Sequence, residues 1–385
     1  MAAVDFPSSP TPGQTYTQAG ATWTWDGVKW VAQGTGTGIY LPLAGGVMTG
    51  DITLKGDPSA PLHPVTYRMV SNPNDNRIIN GDMRIDQRNN GASGTANGYT
   101  VDRWSYGVSQ ASKGTWQRLG PGPTANGFPY CLNFTSSSAY ALTASDYFFF
   151  QYAFEADAVS DFQWGTPTAQ PVTLSFWVNA SLSGTFGGSI RNATGTRSYP
   201  FSFSATNTWT KVVIVIPGDT AGTWVLAGNA ASFYFVFDLG SGATNRAPAG
   251  AWVAGSYLGA NGATSIVATN GASFAVTGVK LEIGSVATPF NRQSLAKSMA
   301  DCQRYYEVGD IGFWGYSNAS QTIGYIKSFA AVKRAAPTIT LSSVSSGGLN
   351  APAANGSVAS ITVNATGSIT GGVGFTCNYQ ASAEL

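Results

Sequence analysis

The sequence predicts an all-β protein in which a jelly-roll β-sandwich is flanked by smaller β-modules. First, 47 of the 385 residues are glycine and 12% are aromatic, and such residues favour turns and strands over helix interiors. Second, short β-prone runs alternate with Gly, Asn and Asp turns along most of the chain. Third, only 10% of the residues are charged, against roughly 25% in a typical soluble domain, yet apolar side chains are ample for a core.

Charge and hydropathy argue against several classes of function. The net charge is +1 and no long basic run exists, so we expect no binding to nucleic acid. No window approaches about 20 consecutive apolar residues, so we expect no membrane insertion. The N-terminus lacks the basic start and apolar stretch of a secretory signal, and release by cell lysis would bring the protein outside the cell. The three widely spaced cysteines are expected to be buried and unreactive: Cys131, Cys302 and Cys377.

Residues 1–38 are predicted to form a small module around a β-hairpin. Asp26-Gly27 lies between two aromatic, β-prone runs, and this pair favours the positive φ angles of a tight hairpin turn. The surrounding tryptophans would form the core of the module or serve in attachment: Trp23, Trp25 and Trp30.

Residues 39–76 are predicted to form a short β-shaft and a linker. A Gly45-Gly46 turn separates an apolar run from an alternating strand. One hairpin of this size cannot bury its apolar face alone, so we expect two further copies of the chain to supply the missing strands. The predicted shaft residues are Leu41, Leu43, Met48, Ile52 and Leu54.

Residues 77–292 are predicted to form one large β-domain, the sandwich itself. Its strand candidates are Arg77–Asn80, Trp104–Val108, Tyr147–Tyr152, Val172–Val178, Lys211–Ile216, Phe233–Leu239 and Phe274–Ile283. Residues 293–385 are predicted to begin with the one short helix, over 294–306, which Ser294 can cap. A second, smaller β-domain follows it at the C-terminal tip.

Two segments resemble proteins of tailed bacteriophages. Leu41-Pro42-Leu43, Gly45-Gly46 and Met48-Thr49-Gly50 resemble the shaft repeats of tail fibres, which are parallel homotrimers. Thr22–Trp30 resembles an element near the N-termini of phage tail proteins, and this implies a role in attachment to the virion.

The large domain resembles the jelly-roll carbohydrate-binding modules of bacterial glycan-binding proteins and phage fibres. The matching segments are Ile78–Met83, Tyr99–Trp104, Thr173–Val178, Thr208–Val212, Pro217–Thr220 and Thr277–Gly284. Gly284–Phe290 and Cys302–Glu307 resemble passages that join such a jelly roll to a terminal domain in tail fibres, and Lys333–Thr338 resembles a turn of the same family.

The sequence offers little for catalysis. The single histidine, His63, stands beside a proline in the predicted linker, away from any nucleophile it could serve. Glycoside cleavage needs two carboxylates about 5–10 Å apart, and the candidates cluster at Asp82 and Asp86 and at Glu155, Asp157 and Asp161. Because Arg84 and Arg88 alternate with Asp82 and Asp86, we expect an ion-pair ladder along a strand. We therefore predict that the protein is not an enzyme.

Metals and cofactors are not expected either. The resemblance implies a structural calcium with ligands at Asn80 and Asp82. However, the closing strand carries Thr277-Gly278 where such modules have acidic residues, and we predict no metal site.

Sugar binding is the remaining chemistry, because aromatic faces stack on the C–H faces of pyranose rings. Trp177, Trp209 and Trp224 are expected in the core. Five aromatic residues in polar or loop-like settings are the candidate glycan or receptor contacts: Trp116, Trp164, Trp252, Trp314 and Tyr316.

Together these features predict a homotrimeric phage tail fibre that acts in the virion, outside the host cell. Its partners would be itself, tail or baseplate proteins at the N-terminal module, and host surface polysaccharide or a surface protein. A tail-associated glycan depolymerase and a purely structural collar or baseplate fibre remain alternatives.

Overall fold

The computed structural model describes residues 6–18, 21–33 and 76–385, and the chain divides into two units, Met1–Val65 and Thr66–Leu385. Each unit is described by itself. The predicted shaft residues lie outside the described residues, as does His63: Leu41, Leu43, Met48, Ile52 and Leu54.

The N-terminal unit contains a three-stranded antiparallel sheet, β1 (Thr15–Gln18), β2 (Ala21–Trp25) and β3 (Trp30–Gln33), in that order. The hairpin predicted at Asp26-Gly27 is confirmed. The Asp26 carboxylate accepts the N–H groups of two following residues at 2.8 Å each, and Gly27 has a φ of 103°.

Aromatic rings cover one another on this small sheet. Phe6 stacks on Trp30 with ring centroids 5.3 Å apart, and it meets Trp23 edge to face at the same distance. Trp25 also contacts Trp30, at 5.6 Å. The tryptophans therefore pack together as the sequence indicated.

A sandwich of two antiparallel sheets forms the larger part of the second unit. Its strands, in chain order, are β4 (Gly98–Tyr99), β5 (Trp104–Val108), β6 (Gly114–Leu119), β7 (Cys131–Ser136), β8 (Tyr147–Glu155), β9 (Val172–Ala180), β10 (Gly184–Asn192), β11 (Arg197–Ala205), β12 (Thr210–Ile216), β13 (Ala231–Ser241), β14 (Arg246–Ala247), β15 (Val253–Ala254), β16 (Gly259–Ala260) and β17 (Ser273–Ile283). One sheet has the order β15-β11-β10-β13-β8-β5-β4 and the other β12-β9-β17-β7-β6, while β14 and β16 form a short parallel pair. The predicted jelly-roll β-sandwich is confirmed.

The core of the sandwich is built from alternate residues of facing strands. Leu174, Phe176 and Val178 of β9 have no exposed surface, and the same holds for Phe235 and Phe237 of β13. The rings of Phe176 and Phe237 meet nearly at right angles, 4.9 Å apart. Burial of such apolar area, at about 25 cal/mol per Å², is the main force that holds the two sheets together.

The predicted strand Arg77–Asn80 is wrong, since residues 76–90 are irregular. Asn80 and Met83 both have a φ of 57°, which ends any extended run. The segment nevertheless follows β17, because the Arg77 N–H donates to Leu281 and Gly81 accepts from Val279, each at 2.9 Å.

The predicted short helix is confirmed as α1 (Leu295–Gln303). The Ser294 hydroxyl caps it by accepting from the Lys297 N–H at 3.3 Å. The helix ends before Tyr306, where the next strand begins. Among the described residues, no helix is long and apolar enough to cross a lipid bilayer.

Two three-stranded sheets complete this unit, and we call them the C-terminal module. The strands are β18 (Tyr306–Ser317), β19 (Thr322–Ser328), β20 (Thr338–Gly347), β21 (Ala353–Gly356), β22 (Ser360–Thr366) and β23 (Gly371–Ser382). The orders are β18-β23-β20 and β19-β22-β21. Both sheets share one core, to which β23 contributes Phe375 and Tyr379 and β22 contributes Ile361 and Val363.

Ion pairs of buried carboxylates join the C-terminal module and the residues beside it to the sandwich. Glu384 pairs with Arg88 at 3.0 Å and with Arg103, whose side chain is 1% exposed. Glu155 pairs with Arg304 at 2.5 Å and accepts the Tyr305 hydroxyl at the same distance. These contacts fix the module against the ends of β5 and β8.

Candidate functional site

An exposed aromatic face lies on the outer side of the sheet β18-β23-β20. Trp314 and Tyr316 are 77% and 70% exposed and stand two residues apart on β18, so both point outward. Trp314 lies opposite Gly374 of β23, and a Cβ on that glycine would come within 2.3 Å of the indole ring. The indole ring therefore packs against the backbone of the sheet, and only a glycine at position 374 leaves room for it.

Polar side chains extend this face across the sheet. On β23, Thr376, Asn378 and Gln380 share the outward side with Trp314 and are exposed. On β20, Thr340 and Ser342 lie opposite two of them and are exposed too. These side chains make no hydrogen bond to another described residue, so they are available to a ligand. An aromatic plate bordered by amides and hydroxyls can stack on a sugar ring and bind its hydroxyl groups. We call this surface the Trp314 face.

A second aromatic face lies on the outer side of the seven-stranded sheet. The rings of Tyr147 and Phe149 on β8 are 5.5 Å apart and tilted by 31°. Phe149 lies over Gly107 of β5, where a Cβ would be 2.2 Å from the ring. Gln151 continues the same side of β8 toward Arg191 of β10. We call this surface the Phe149 face.

Arg191 gives the Phe149 face an unusual charge. Its guanidinium donates to Gln151 Oε1 at 2.7 Å and to Ser256 Oγ at 3.1 Å, and it lies 5.2 Å from the centre of the Tyr234 ring. No described carboxylate forms an ion pair with it. A half-buried cation without a counter-charge favours oxygen-rich ligands at this face.

The sequence analysis missed the Phe149 face, although its alternation was readable. In the run Tyr147–Tyr152 the residues Phe148, Phe150 and Tyr152 are buried, which leaves the odd-numbered positions outside. A run of four aromatic residues conceals this alternation, because aromatic side chains occupy both sides of the strand.

Two of the predicted contact residues, Trp116 and Trp164, belong to the core, which corrects their assignment as candidate receptor contacts. Trp116 is 7% exposed and Trp164 is 1% exposed. Each indole N–H donates to the backbone carbonyl of a nearby loop, at 3.2 Å to Ala96 and at 2.9 Å to Gln170. The polar residues close to each tryptophan in the sequence therefore belong to loops that cover its ring.

The other tryptophans divide between core and surface. Trp252 is half-buried in a ring cluster with Trp164 and Trp224, at 5.2 and 5.4 Å, and its N–H donates to Pro217 O at 2.7 Å. Trp224 is buried, as expected. Trp177 and Trp209 are half-buried, so placing both fully in the core was wrong.

The carboxylates Asp82 and Asp86 serve the local structure, and the predicted ladder is wrong. Asp82 pairs with Arg84 at 2.6 Å and Arg292 at 2.8 Å. Asp86 instead accepts the N–H groups of a tight loop and lies 3.7 Å from Arg118. Because the segment is irregular, these side chains cannot share one face of a strand.

Asn80 and Asp82 occupy the place of the calcium ligands in carbohydrate-binding modules, but their contacts do not suit a calcium ion. The Asn80 side chain already serves the local structure: its amide nitrogen donates to the carbonyls of Ile85 and Asp102, and its oxygen accepts the Ile85 N–H. Asp82 already faces two guanidinium groups, with which a cation would have to compete.

Comparison with known proteins gave weak structural similarities. No protein-family model and no curated protein sequence matches the chain. The enzymatically active domain of tailspike protein 4 of bacteriophage CBA120 aligns at 14% identity and a TM-score of 0.31, over 55% of this chain and 22% of the tailspike chain. A putative sugar binding protein from Bacteroides thetaiotaomicron aligns at 11% identity and a TM-score of 0.31, over 54% of this chain and 100% of that one. A family 11 carbohydrate-binding module from Clostridium thermocellum, in complex with a mixed-linked tetrasaccharide, aligns at 10% identity and 0.26, over 51% and 97%.

Proposed function

We propose that this protein binds carbohydrate through the Trp314 face and serves as a non-enzymatic adhesion component of a phage tail fibre. The observation that carries the proposal is that Trp314, which lies over Gly374, is 77% exposed and its neighbour Tyr316 is 70% exposed. Large aromatic side chains are costly to leave in water, and such a cluster on a polar face is typical of a binding site.

The wider role follows from the sequence. The shaft-like segment would align three chains, the module of residues 1–38 would dock to tail or baseplate proteins, and the C-terminal module would meet host surface polysaccharide. Three equal sites on one particle gain avidity on a repeating glycan. The low charge of the chain would make this adhesion less sensitive to salt than binding through ionic contacts. The protein would then act in the virion, outside the host cell.

The test is a binding measurement on the intact chain. An array of bacterial surface polysaccharides identifies a ligand, and calorimetry then compares wild type with Trp314→Ala and Tyr316→Ala. We expect a loss of affinity of about tenfold or more for each, since each variant removes a stacking surface. Thermal unfolding should stay unchanged, because both rings are exposed.

Ile326→Ala is the matched control. Ile326 is 65% exposed and lies on the other sheet of the C-terminal module, so its removal should leave affinity unchanged. Equal affinity of wild type and both aromatic variants would contradict the proposal. Release of oligosaccharides from the bound polysaccharide would instead indicate a depolymerase.

A further inference from the structure

A small cavity lies on the outer side of the five-stranded sheet, away from both aromatic faces. Its volume is about 220 Å³. Three aromatic residues line it: Phe128 and Phe290 lie in loops, and Trp177 lies on β9. Sequence alternation explains why Trp177 reaches this surface, since its neighbours Phe176 and Val178 are fully buried on the other side.

The aromatic walls converge on a break in β17. The rings of Phe128 and Phe290 are 5.2 Å apart and meet at 75°. The register of β17 against β9 shifts between Thr277 and Lys280, and Gly278 in this bulge has a φ of 61°. A Cβ on Gly278 would lie 2.7 Å from Phe128 and 3.1 Å from Trp177. The glycine therefore lets both rings approach one point.

A lysine without a counter-charge stands at the edge of this cavity. Lys211 of β12 lies opposite Trp177 of β9 in the register and is exposed. Throughout the described part of the chain, no carboxylate pairs with it and no side-chain hydrogen bond engages it. Three other lysines are paired with carboxylates: Lys280 with Glu282, Lys297 with Asp301, and Lys333 with Glu307.

The combination of rings and a free cation selects one class of ligand. Aromatic walls suit the C–H faces of a pyranose ring, and the side chains of Asn126 and Ser175 also line the cavity and can bond hydroxyl groups. The ammonium group of Lys211 suits a carboxylate. At about 220 Å³ the space is smaller than the roughly 300–1,000 Å³ of sites for drug-sized ligands, which fits a single sugar unit.

We propose that this cavity binds the hexuronic-acid unit of an acidic polysaccharide. The proposal rests on the proposed carbohydrate-binding function and adds a second site with a defined charge preference. A neutral sugar would use the same rings and would lack the contact with Lys211.

The experiment titrates the intact Trp314→Ala/Tyr316→Ala chain with methyl β-D-glucuronoside and with methyl β-D-glucoside, and saturation-transfer NMR and calorimetry follow the binding. This background removes both stacking rings of the Trp314 face. We expect the glucuronoside to bind more tightly than the glucoside. Adding Lys211→Gln should weaken glucuronoside binding by about fivefold and leave the glucoside unchanged. Lys297→Gln, a surface lysine on α1, is the matched control and should change neither.

Several results would overturn the proposal. These are no binding of either sugar, equal affinity for both sugars, an unchanged glucuronoside affinity in Lys211→Gln, or displacement of the glucuronoside by equimolar acetate. None of these results bears on the polysaccharide binding proposed for the Trp314 face, which is measured separately in the otherwise wild-type chain. The two proposals can therefore fail independently.

Discussion

At the scale of single residues, two glycines determine how aromatic rings are presented. Gly374 lies under Trp314 and Gly107 lies under Phe149, and any side chain at either place would meet the ring. A ring that rests on the backbone offers its whole face to a flat ligand and loses little freedom on binding. The glycines therefore shape both aromatic faces although they have no side chain of their own.

Gly107→Ala should tilt the Phe149 ring without unfolding the sandwich. The three nearest atoms to the new Cβ all belong to that movable ring, and the backbone of Gly107 needs no positive φ. We expect a loss of stability below about 1 kcal/mol, together with a changed affinity for any ligand of the Phe149 face. Calorimetry and thermal unfolding measure the two effects. Gly347→Ala is the control, because nothing lies within 4 Å of its Cβ; a larger fall in stability for Gly107→Ala would show that the ring cannot move.

Glu155 should make stability depend on pH. Burial alone would raise the pKa of Glu155, but hydrogen bonds from Arg304 and Tyr305 outweigh it and hold the pKa below its ordinary value of 4.5. A carboxyl group with a lowered pKa in the folded state adds stability above its unfolded pKa, and this stability is lost as pH falls through that region. We expect Glu155→Gln to be less stable than wild type by about 1–2 kcal/mol at pH 7.

Denaturant unfolding of both proteins at pH 7, 4 and 3 tests this expectation. The difference between them should shrink on acidification, because the unfolded wild-type chain binds a proton at Glu155 first and the folded protein does so only at lower pH. A difference that stays constant over this range would mean that Glu155 contributes only shape and neutral hydrogen bonds.

At the scale of elements, the regular strands and the helix could be predicted, and the loops could not. Alternation marks β9 and β12, and the Ser294 cap marks α1, because these signals are local in the chain. The prediction of a strand at Arg77–Asn80 failed, because this β-prone segment forms only a few backbone hydrogen bonds with β17. Trp116 and Trp164 misled for a different reason. Trp164 packs against Trp224 and Trp252, and Trp116 bonds to Ala96 twenty residues before it, and no local pattern records these contacts.

Glu384 shows how a pair distant in sequence holds two elements together. Its carboxylate is the partner of Arg103, which is 1% exposed and would otherwise be a buried charge. We expect Glu384→Ala to cost about 3–5 kcal/mol in the free energy of unfolding, and Glu384→Gln less. The double variant Arg103→Met/Glu384→Met should recover part of this loss.

Asp301→Ala serves as the comparison. It breaks the exposed pair of Asp301 with Lys297 on α1 and should cost less than about 1 kcal/mol. Urea unfolding followed by tryptophan fluorescence measures all these variants. Equal, small losses for Glu384→Ala and Asp301→Ala would show that the C-terminal module does not depend on this buried pair.

At the scale of the whole molecule, composition and the alternation of short β-prone runs with Gly, Asn and Asp turns predicted the all-β fold class, because both signals favour strands and turns over long helices. The binding faces were less accessible to prediction. Trp314 and Tyr316 could be found because they alternate along one glycine-rich strand. The cavity at Lys211 could not be found, since it needs two loops, two strands and a bulge to meet.

The assembly state is the prediction that matters most at this scale. The 40.0-kDa chain should have a solution mass of about 120 kDa as a homotrimer, because the hairpin that the sequence predicts in residues 40–62 would need strands from other copies. Light scattering after size exclusion measures the mass. Leu43→Asp/Ile52→Asp should give monomers with an intact sandwich, and a monomeric wild type would end the trimer hypothesis.

The glycines beneath Trp314 and Phe149 also have an evolutionary meaning. A single codon change at either glycine would put a side chain under the ring and alter the angle of the ring to the sheet. Under the proposed role in adhesion, such a change alters which ligand fits while the surrounding strands stay as they are. We therefore expect related chains that attach to different hosts to differ at Gly374 and Gly107 more often than at Trp314 and Phe149.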